Sequence, residues 1–106
     1  LSQKYKARTK EDLREIDLHI NELLDDTTGL ENAEMLEVQM QHFRRGMEEA
    51  LKDHVKKVVF IHGVGNGTLK QELRQALERE YRKYPYQDAS FKEYGFGATM
   101  VVLRRK

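Results

Sequence analysis

The chain has no cysteine in 106 residues. That excludes a disulfide frame, a thiolate nucleophile and a thiolate-bound metal. No apolar run approaches the roughly 18 residues that a membrane-spanning helix needs. The N-terminus is polar and basic with no apolar core of a signal peptide, so the expectation is a cytoplasmic protein. The chain starts at Leu1 without a methionine, which suggests a fragment of something longer. An excess of one charge sign is also lacking. The formal net charge is +1, so bulk charge singles out no acidic partner. Local charge is more uneven. Lys4, Lys6, Arg8 and Lys10 gather at one end and Arg104, Arg105 and Lys106 at the other. Such runs are usually solvated tails. The length suits one domain with one core.

What the chain does have is a stretch around which the rest is organised, Val58 to Leu69, reading VVFIHGVGNGTL. Its first four residues are large and apolar, as in a buried strand. His62 ends the run, and Gly63, Gly65 and Gly67 follow at alternate positions. Thr68 with Gln71 reads as a capping box that starts a helix. A strand, a glycine loop and a helix N-terminus can offer backbone N–H groups to an anion, and a phosphate is the natural guest.

Residues 1–12 show no apolar period and read as a basic linker or arm, leaving 13–106 as the domain. Ile16, Leu18 and Ile20 alternate with Asp17 and His19, which predicts a strand with one buried face and with Asp17 and His19 side by side on the other. Residues 21–29 are a polar loop, long for a strand-to-helix connection and pinned by Leu23 and Leu24. Asn32 is the expected N-cap of a helix reaching about Asp53, with Leu36, Met40, Phe43, Met47 and Leu51 as its apolar stripe. A second helix runs from Leu69 to about Tyr84, striped by Leu69, Leu73, Leu77 and Tyr81 and stopped by Pro85. Residues 89–94 alternate like a short strand, Gly95-Phe96-Gly97 makes a turn, and the apolar run 98–103 suits an interior strand. The order is βαβαββ. It implies an α/β two-layer sandwich: a mixed four-stranded sheet, three strands parallel and the last antiparallel, with both helices on one face and the other face uncovered.

In such a sheet the carboxyl ends of the parallel strands form the usual ligand edge. His19 and His62 both fall there, with Asp17 beside His19. Two histidines, a carboxylate and an anion loop suit phosphodiester cleavage, one imidazole taking a proton and the other giving one. Lys70 or Arg74 can neutralise phosphate charge. The candidate catalytic residues are therefore Asp17, His19 and His62. The candidate phosphate-binding residues are Gly63, Gly65, Asn66, Gly67, Thr68, Lys70 and Arg74. A divalent metal, magnesium or manganese, is compatible with the carboxylate, and zinc could be held by His19, His62 and Asp17 without any H-E-x-x-H spacing. The glycines do not match the dinucleotide fingerprint, because the third comes one residue early and the loop follows the second strand. His42 and His54 flank the first helix and are expected to face solvent.

Asp17-Leu18-His19, His62-Gly63-x-Gly65-x-Gly67 and Ala98-Thr99-Met100-Val101-Val102 together resemble the Smr, or small MutS-related, domain over about residues 13–106. They match its D-L-H, its H-G-x-G-x-G and its closing strand. The resemblance implies a fold similar to the C-terminal domain of bacterial translation initiation factor three. It implies nucleic-acid binding, DNA or RNA, with endonuclease activity in some members, and other domains of a longer bacterial parent chain as partners. It makes Asp17 and His19 the catalytic pair and His62 with Gly63, Gly65 and Gly67 the phosphate loop. The chain departs from the family pattern in two places. Ile20 stands where the family usually has Gly, and residues 21–31 intervene before the helix.

Three functions follow from different classes. The first is an endonuclease, a hydrolase of phosphodiester bonds. The second is a non-catalytic nucleic-acid-binding module that uses the same loop and the basic tails. The third is a protein-interaction module of a larger protein, tethered by residues 1–12.

Overall fold

The computed structural model describes residues 8–10 and 12–104. Nine elements follow in order: β1 (Arg8–Lys10), β2 (Leu13–Asp17), α1 (Ile20–Leu23), α2 (Asn32–Lys52), β3 (Lys57–Ile61), α3 (Thr68–Glu80), β4 (Tyr86–Asp88), α4 (Phe91–Tyr94) and β5 (Ala98–Val102). The sheet order is β1-β2-β3-β5-β4. β2 and β3 pair in parallel, while β5 is antiparallel to both β3 and β4. Three strands thus share a direction and β5 opposes them from the sheet interior, as its nearly continuous apolar run suggests.

The parallel pairing sets Ile16 beside Phe60 and Asp17 beside Ile61. Side chains alternate between faces. Ile16, Val58, Phe60 and Val101 therefore point to the layer formed by α2 and α3, where they join Phe43, Met47, Leu73 and Leu77 in one core. Gly46 lets α2 come close: a Cβ there would stand 2.8 Å from Ile16 Cδ1 and 3.2 Å from the Phe60 ring. The helices are tied at the surface by Arg44, whose Nε and Nη2 donate to the Glu80 carboxylate at 2.8 and 2.9 Å. The carboxylate lifts the Arg44 pKa, and the guanidinium lowers that of Glu80.

Several expectations need correction. Within the stretch read as a linker or arm, Arg8–Lys10 adds a fifth, antiparallel strand beside β2, where four strands were expected. Residues 1–7, with the remaining basic cluster, lie outside the described residues, as do 105 and 106. The 21–29 loop begins inside a short helix, and Leu23 is buried as the pin. The cap of α2 is Glu31, not Asn32: Glu31 and Glu34 close a reciprocal box, in which the Glu31 N–H donates to Glu34 at 2.8 Å. A glutamate can replace the usual short cap, because only its acceptor oxygen is needed. Thr68 caps nothing. The N-cap of α3 is Gly67 at φ 86, a left-handed conformation that favours glycine. Asn66 Oδ1 instead accepts the Thr68 N–H at 3.0 Å. Thr68→Ala should therefore leave stability within about 0.5 kcal/mol, as expected for an exposed site with no special contact; a thermal melt checks it.

The second helix ends at Glu80, before Pro85 acts, because Tyr81 turns inward and its hydroxyl donates to Glu48 at 3.0 Å. The fourth strand is Tyr86–Asp88, earlier than expected, and residues 91–94 form a helical turn capped by Ser90. The spacing of three between Phe91 and Tyr94 belongs to that turn and not to a strand. The far sheet face is also partly covered: Ala89 and Tyr94 pack with Val59 and Ala98. Finally, His42 is not solvent-facing but half-buried on α2.

Candidate active site

β2 ends at Asp17, but its ladder continues, with the Leu18 N–H donating to the Ile61 carbonyl at 2.8 Å. Gln39 of α2 donates to the Leu18 carbonyl at 2.9 Å and fixes that end of the chain. Leu18 is fully buried, so its neighbours on either side face outward. The Asp17 Oδ1 accepts the His19 backbone N–H at 2.9 Å and lies 2.8 Å from His19 Nδ1. A carboxylate only accepts, so Nδ1 carries the proton and Nε2 is the free ring position. The side chains are 52% and 40% exposed, so the pair is open to a solute.

The glycine loop meets this ring. Gly63, at φ +77, would place a Cβ 2.7 Å from His19 Nε2. Only a glycine therefore leaves room for the imidazole. The other side of the loop is fastened to the turn before β5: the Gly97 carbonyl accepts from both His62 N and Gly63 N at 2.9 Å. A Cβ on Gly97 would stand 3.3 Å from Gly63 Cα, so two glycines meet face to face.

His62 leaves the loop in the opposite direction. It is 6% exposed, and Thr99 beside it is fully buried. His62 Nδ1 is 2.9 Å from the Gly63 carbonyl and Nε2 is 2.9 Å from Thr99 Oγ1. The carbonyl can only accept, so Nδ1 donates, Nε2 accepts the Thr99 hydroxyl proton, and Thr99 Oγ1 accepts from Arg74 Nη2 at 3.0 Å. Burial, which outweighs the Gly63 contact, lowers the His62 pKa with help from Lys70 and Arg74. The structure thus joins Asp17 to His19 and the loop, but commits both His62 nitrogens to internal partners. His19, His62 and Asp17 do not form a zinc site: among the described residues no three His, Cys, Asp or Glu side chains group as metal ligands.

The anticipated phosphate cradle is also narrower. The Gly63 N–H goes to Gly97, the Gly67 N–H to the Val64 carbonyl and the Thr68 N–H to Asn66. The amides of Val64, Gly65 and Asn66 are the loop donors left without a partner among the described residues. Beside them a cleft of about 460 Å³ opens between the first turns of α2 and α3, with Ile20, Asn66 and Thr68 on its wall. Ile20 thus lines this cleft as the first residue of α1 and leaves His19 exposed. Lys70 and Arg74 both turn to Asp88, at 3.6 and 2.5 Å. Arg74 foremost, with Lys70, holds the Asp88 carboxyl below its ordinary pKa.

A pH dependence follows from His62. Its folded pKa lies below the unfolded value of about 6.5, so its contribution is complete above that pH and is lost as the pH falls and the unfolded chain takes up a proton. The half-buried His42 shifts the same way through burial and Arg45. The lowered Asp88 and Glu80 carboxyls act below this window. The His42→Gln protein should therefore still melt at a lower temperature at about pH 5 than at about pH 7.5. A flat profile would show that His62 is protonated without cost.

Comparison with known proteins decides the family. The Smr domain model matches residues 28–104. The chain belongs to the Smr family. An endonuclease MutS2 of Thermus thermophilus is 34% identical over 99 residues, covering 92% of this chain and 11% of that protein. An endonuclease MutS2 of Aquifex aeolicus is 37% identical over 68 residues, covering 64% of this chain and 9% of its own. The crystal structure of the Smr domain of Thermus thermophilus MutS2 superposes with a TM-score of 0.66 at 31% identity, covering 86% of this chain and 98% of that one. This Smr domain therefore has the fold expected of it and spans about a tenth of the length of those curated relatives. No helix among its described residues is long and apolar enough to cross a membrane.

Sequence reasoning missed Thr99 as the partner of His62 and Asp88 as the partner of Lys70 and Arg74. Thr99 stands inside an apolar strand, where a lone hydroxyl is a usable signal. Asp88 lies on a strand that the alternation had placed later.

Proposed function

We propose that this Smr domain binds nucleic acid and cleaves its phosphodiester backbone at His19. The observation that carries the reading is the His19 imidazole, oriented by Asp17 and resting with its free Nε2 against a loop of unfilled amides. Nε2 takes the proton from the attacking hydroxyl as its oxygen bonds to phosphorus. The bond to the leaving oxygen breaks, and the imidazolium returns the proton to it. Asp17 stabilises the imidazolium between these events. The amides of Val64, Gly65 and Asn66, and the first turn of α3, face the phosphate oxygens. His62 acts through the loop: it holds the Gly63 carbonyl and so the surface on which His19 rests. The endonuclease names of the MutS2 relatives agree with this reading.

The test is a cleavage assay on single-stranded and duplex DNA and RNA, with and without EDTA. Cleavage that survives EDTA supports the proton-transfer scheme. Binding without cleavage on every substrate would instead identify a non-catalytic nucleic-acid-binding module.

Asp88 offers a second check. It pairs with both candidate phosphate-binding cations, Lys70 and Arg74. In the Asp88→Asn protein, Lys70 and Arg74 become available to phosphate. Affinity for an oligonucleotide should rise several-fold at low salt, and log K should fall more steeply with log salt, by about 0.7 to 0.9 for each additional phosphate that is neutralised. Fluorescence anisotropy across a salt series measures both. An unchanged slope would remove Lys70 and Arg74 from the phosphate site.

A further inference from the structure

Three large hydrophobic side chains stand exposed among the described residues: Val64 at 64%, Phe91 at 64% and Phe96 at 62%. They are not scattered. Val64 follows Gly63, Phe96 precedes Gly97, and Gly63 and Gly97 touch. Phe91 and Phe96 form one aromatic pair, with ring centroids 4.8 Å apart and planes at 63°. The pair is held firmly. Ser90 Oγ accepts the Glu93 N–H, and the Gly95 N–H returns to the Phe91 carbonyl at 2.7 Å. Tyr94 of the same turn donates to Glu15, two residues before Asp17 and on the same face of β2. α4 therefore laps the sheet face that carries Asp17, and the Phe91–Phe96 pair belongs to the turn whose Gly97 touches Gly63 of the loop.

We propose that Phe91 and Phe96 form a stacking platform for an unpaired base of the nucleic acid whose phosphate lies at the glycine loop. The platform rests on the nucleic-acid reading above and adds its substrate class, a single strand or an unpaired flap. Three properties favour a base as the occupant. The two larger side chains are aromatic, and every base has a π-face that stacks on such a ring regardless of sequence. Lys92, exposed between Phe91 and Glu93, adds a cation to the same turn. A strand threaded across His19 must also pass Val64 and the turn at Gly97, since these residues form the rim of the loop. Bases stacked inside a duplex present only their edges, so the platform selects against paired substrate.

The test uses an oligothymidylate carrying one 2-aminopurine, its duplex form and an abasic strand of equal length. The wild-type domain should change the 2-aminopurine emission on binding and should prefer the single strand. Phe91→Ser/Phe96→Ser, at exposed positions, should keep its melting temperature, lose roughly tenfold or more in single-strand affinity and bind the abasic strand as the wild type does. Phe91→Ser/Phe96→Trp should restore binding, with quenching of the new indole. Equal single-strand binding by the serine variant would overturn the platform. So would an equal loss on the abasic strand, or a wild-type dimer by light scattering that the serine variant abolishes, which would make the patch a contact between copies. His19→Ala separates the two readings: cleavage lost with 2-aminopurine stacking intact supports both. Absence of cleavage in the wild type with stacking intact would remove the nuclease reading alone.

Discussion

His19→Ala should lower cleavage by about 100-fold or more, with affinity for the uncleaved strand nearly unchanged. The imidazole carries the free ring nitrogen at the site, because Nδ1 is committed to Asp17 and both His62 nitrogens are committed to Gly63 and Thr99. In the proposed mechanism, removing it takes away the group that would accept and return the proton, but leaves the loop amides proposed to hold phosphate. Asp17→Asn should slow turnover less, since the amide can still meet Nδ1 through its oxygen but no longer balances the imidazolium. The two variants together therefore have a signature: a large fall in kcat for one, a smaller fall for the other, and similar affinities for both. Single-turnover rates with excess enzyme measure the chemical step directly. Undiminished cleavage by the His19→Ala protein would move the chemistry elsewhere in the chain.

Leu77→Ala should cost about 2–5 kcal/mol of stability, since it empties a site that the surrounding helices and sheet cannot refill. Leu77 is 1% exposed on α3 and belongs to the core with Phe43, Phe60 and Val101. For a domain of this size that is a large share of the whole stability. The same truncation on the outward side of α3, at Gln75, should be close to silent. Urea unfolding followed by circular dichroism gives both values. A Leu77→Ala midpoint within error of wild type would mean that α3 packs by another face.

The helices and the parallel pair are legible in the sequence because their signals are repetitive. The stripe of Leu36, Met40, Phe43 and Met47, and the alternation of Ile16 and Leu18 with Asp17 and His19, each repeat a period several times. The placement of Asp17 and His19 together on one face follows from that alternation alone. The element ends depend on single groups and are not legible in the same way. A glutamate replaces the short side chain expected at the cap of α2, and Gly67 takes the cap position assigned to Thr68. The four residues of α4 are too few for a helical period to outweigh an apparent alternation. His62 differs from its expected role for another reason. Its position at the strand end is as expected, but the direction of its side chain is set by Thr99 and Arg74, which come from β5 and α3. No local pattern encodes a partner 37 residues away.

The meeting of Gly63 and Gly97 has a consequence for binding. One carbonyl, that of Gly97, receives two N–H groups from the end of β3, so the glycine loop and the aromatic turn are joined at the backbone. They cannot reorient independently. On the proposed reading, the loop amides and the aromatic turn are already joined before a strand arrives, so binding one costs less protein entropy. Such a preorganised rim should show its effect in slow dissociation, while the association rate stays that of a simple encounter.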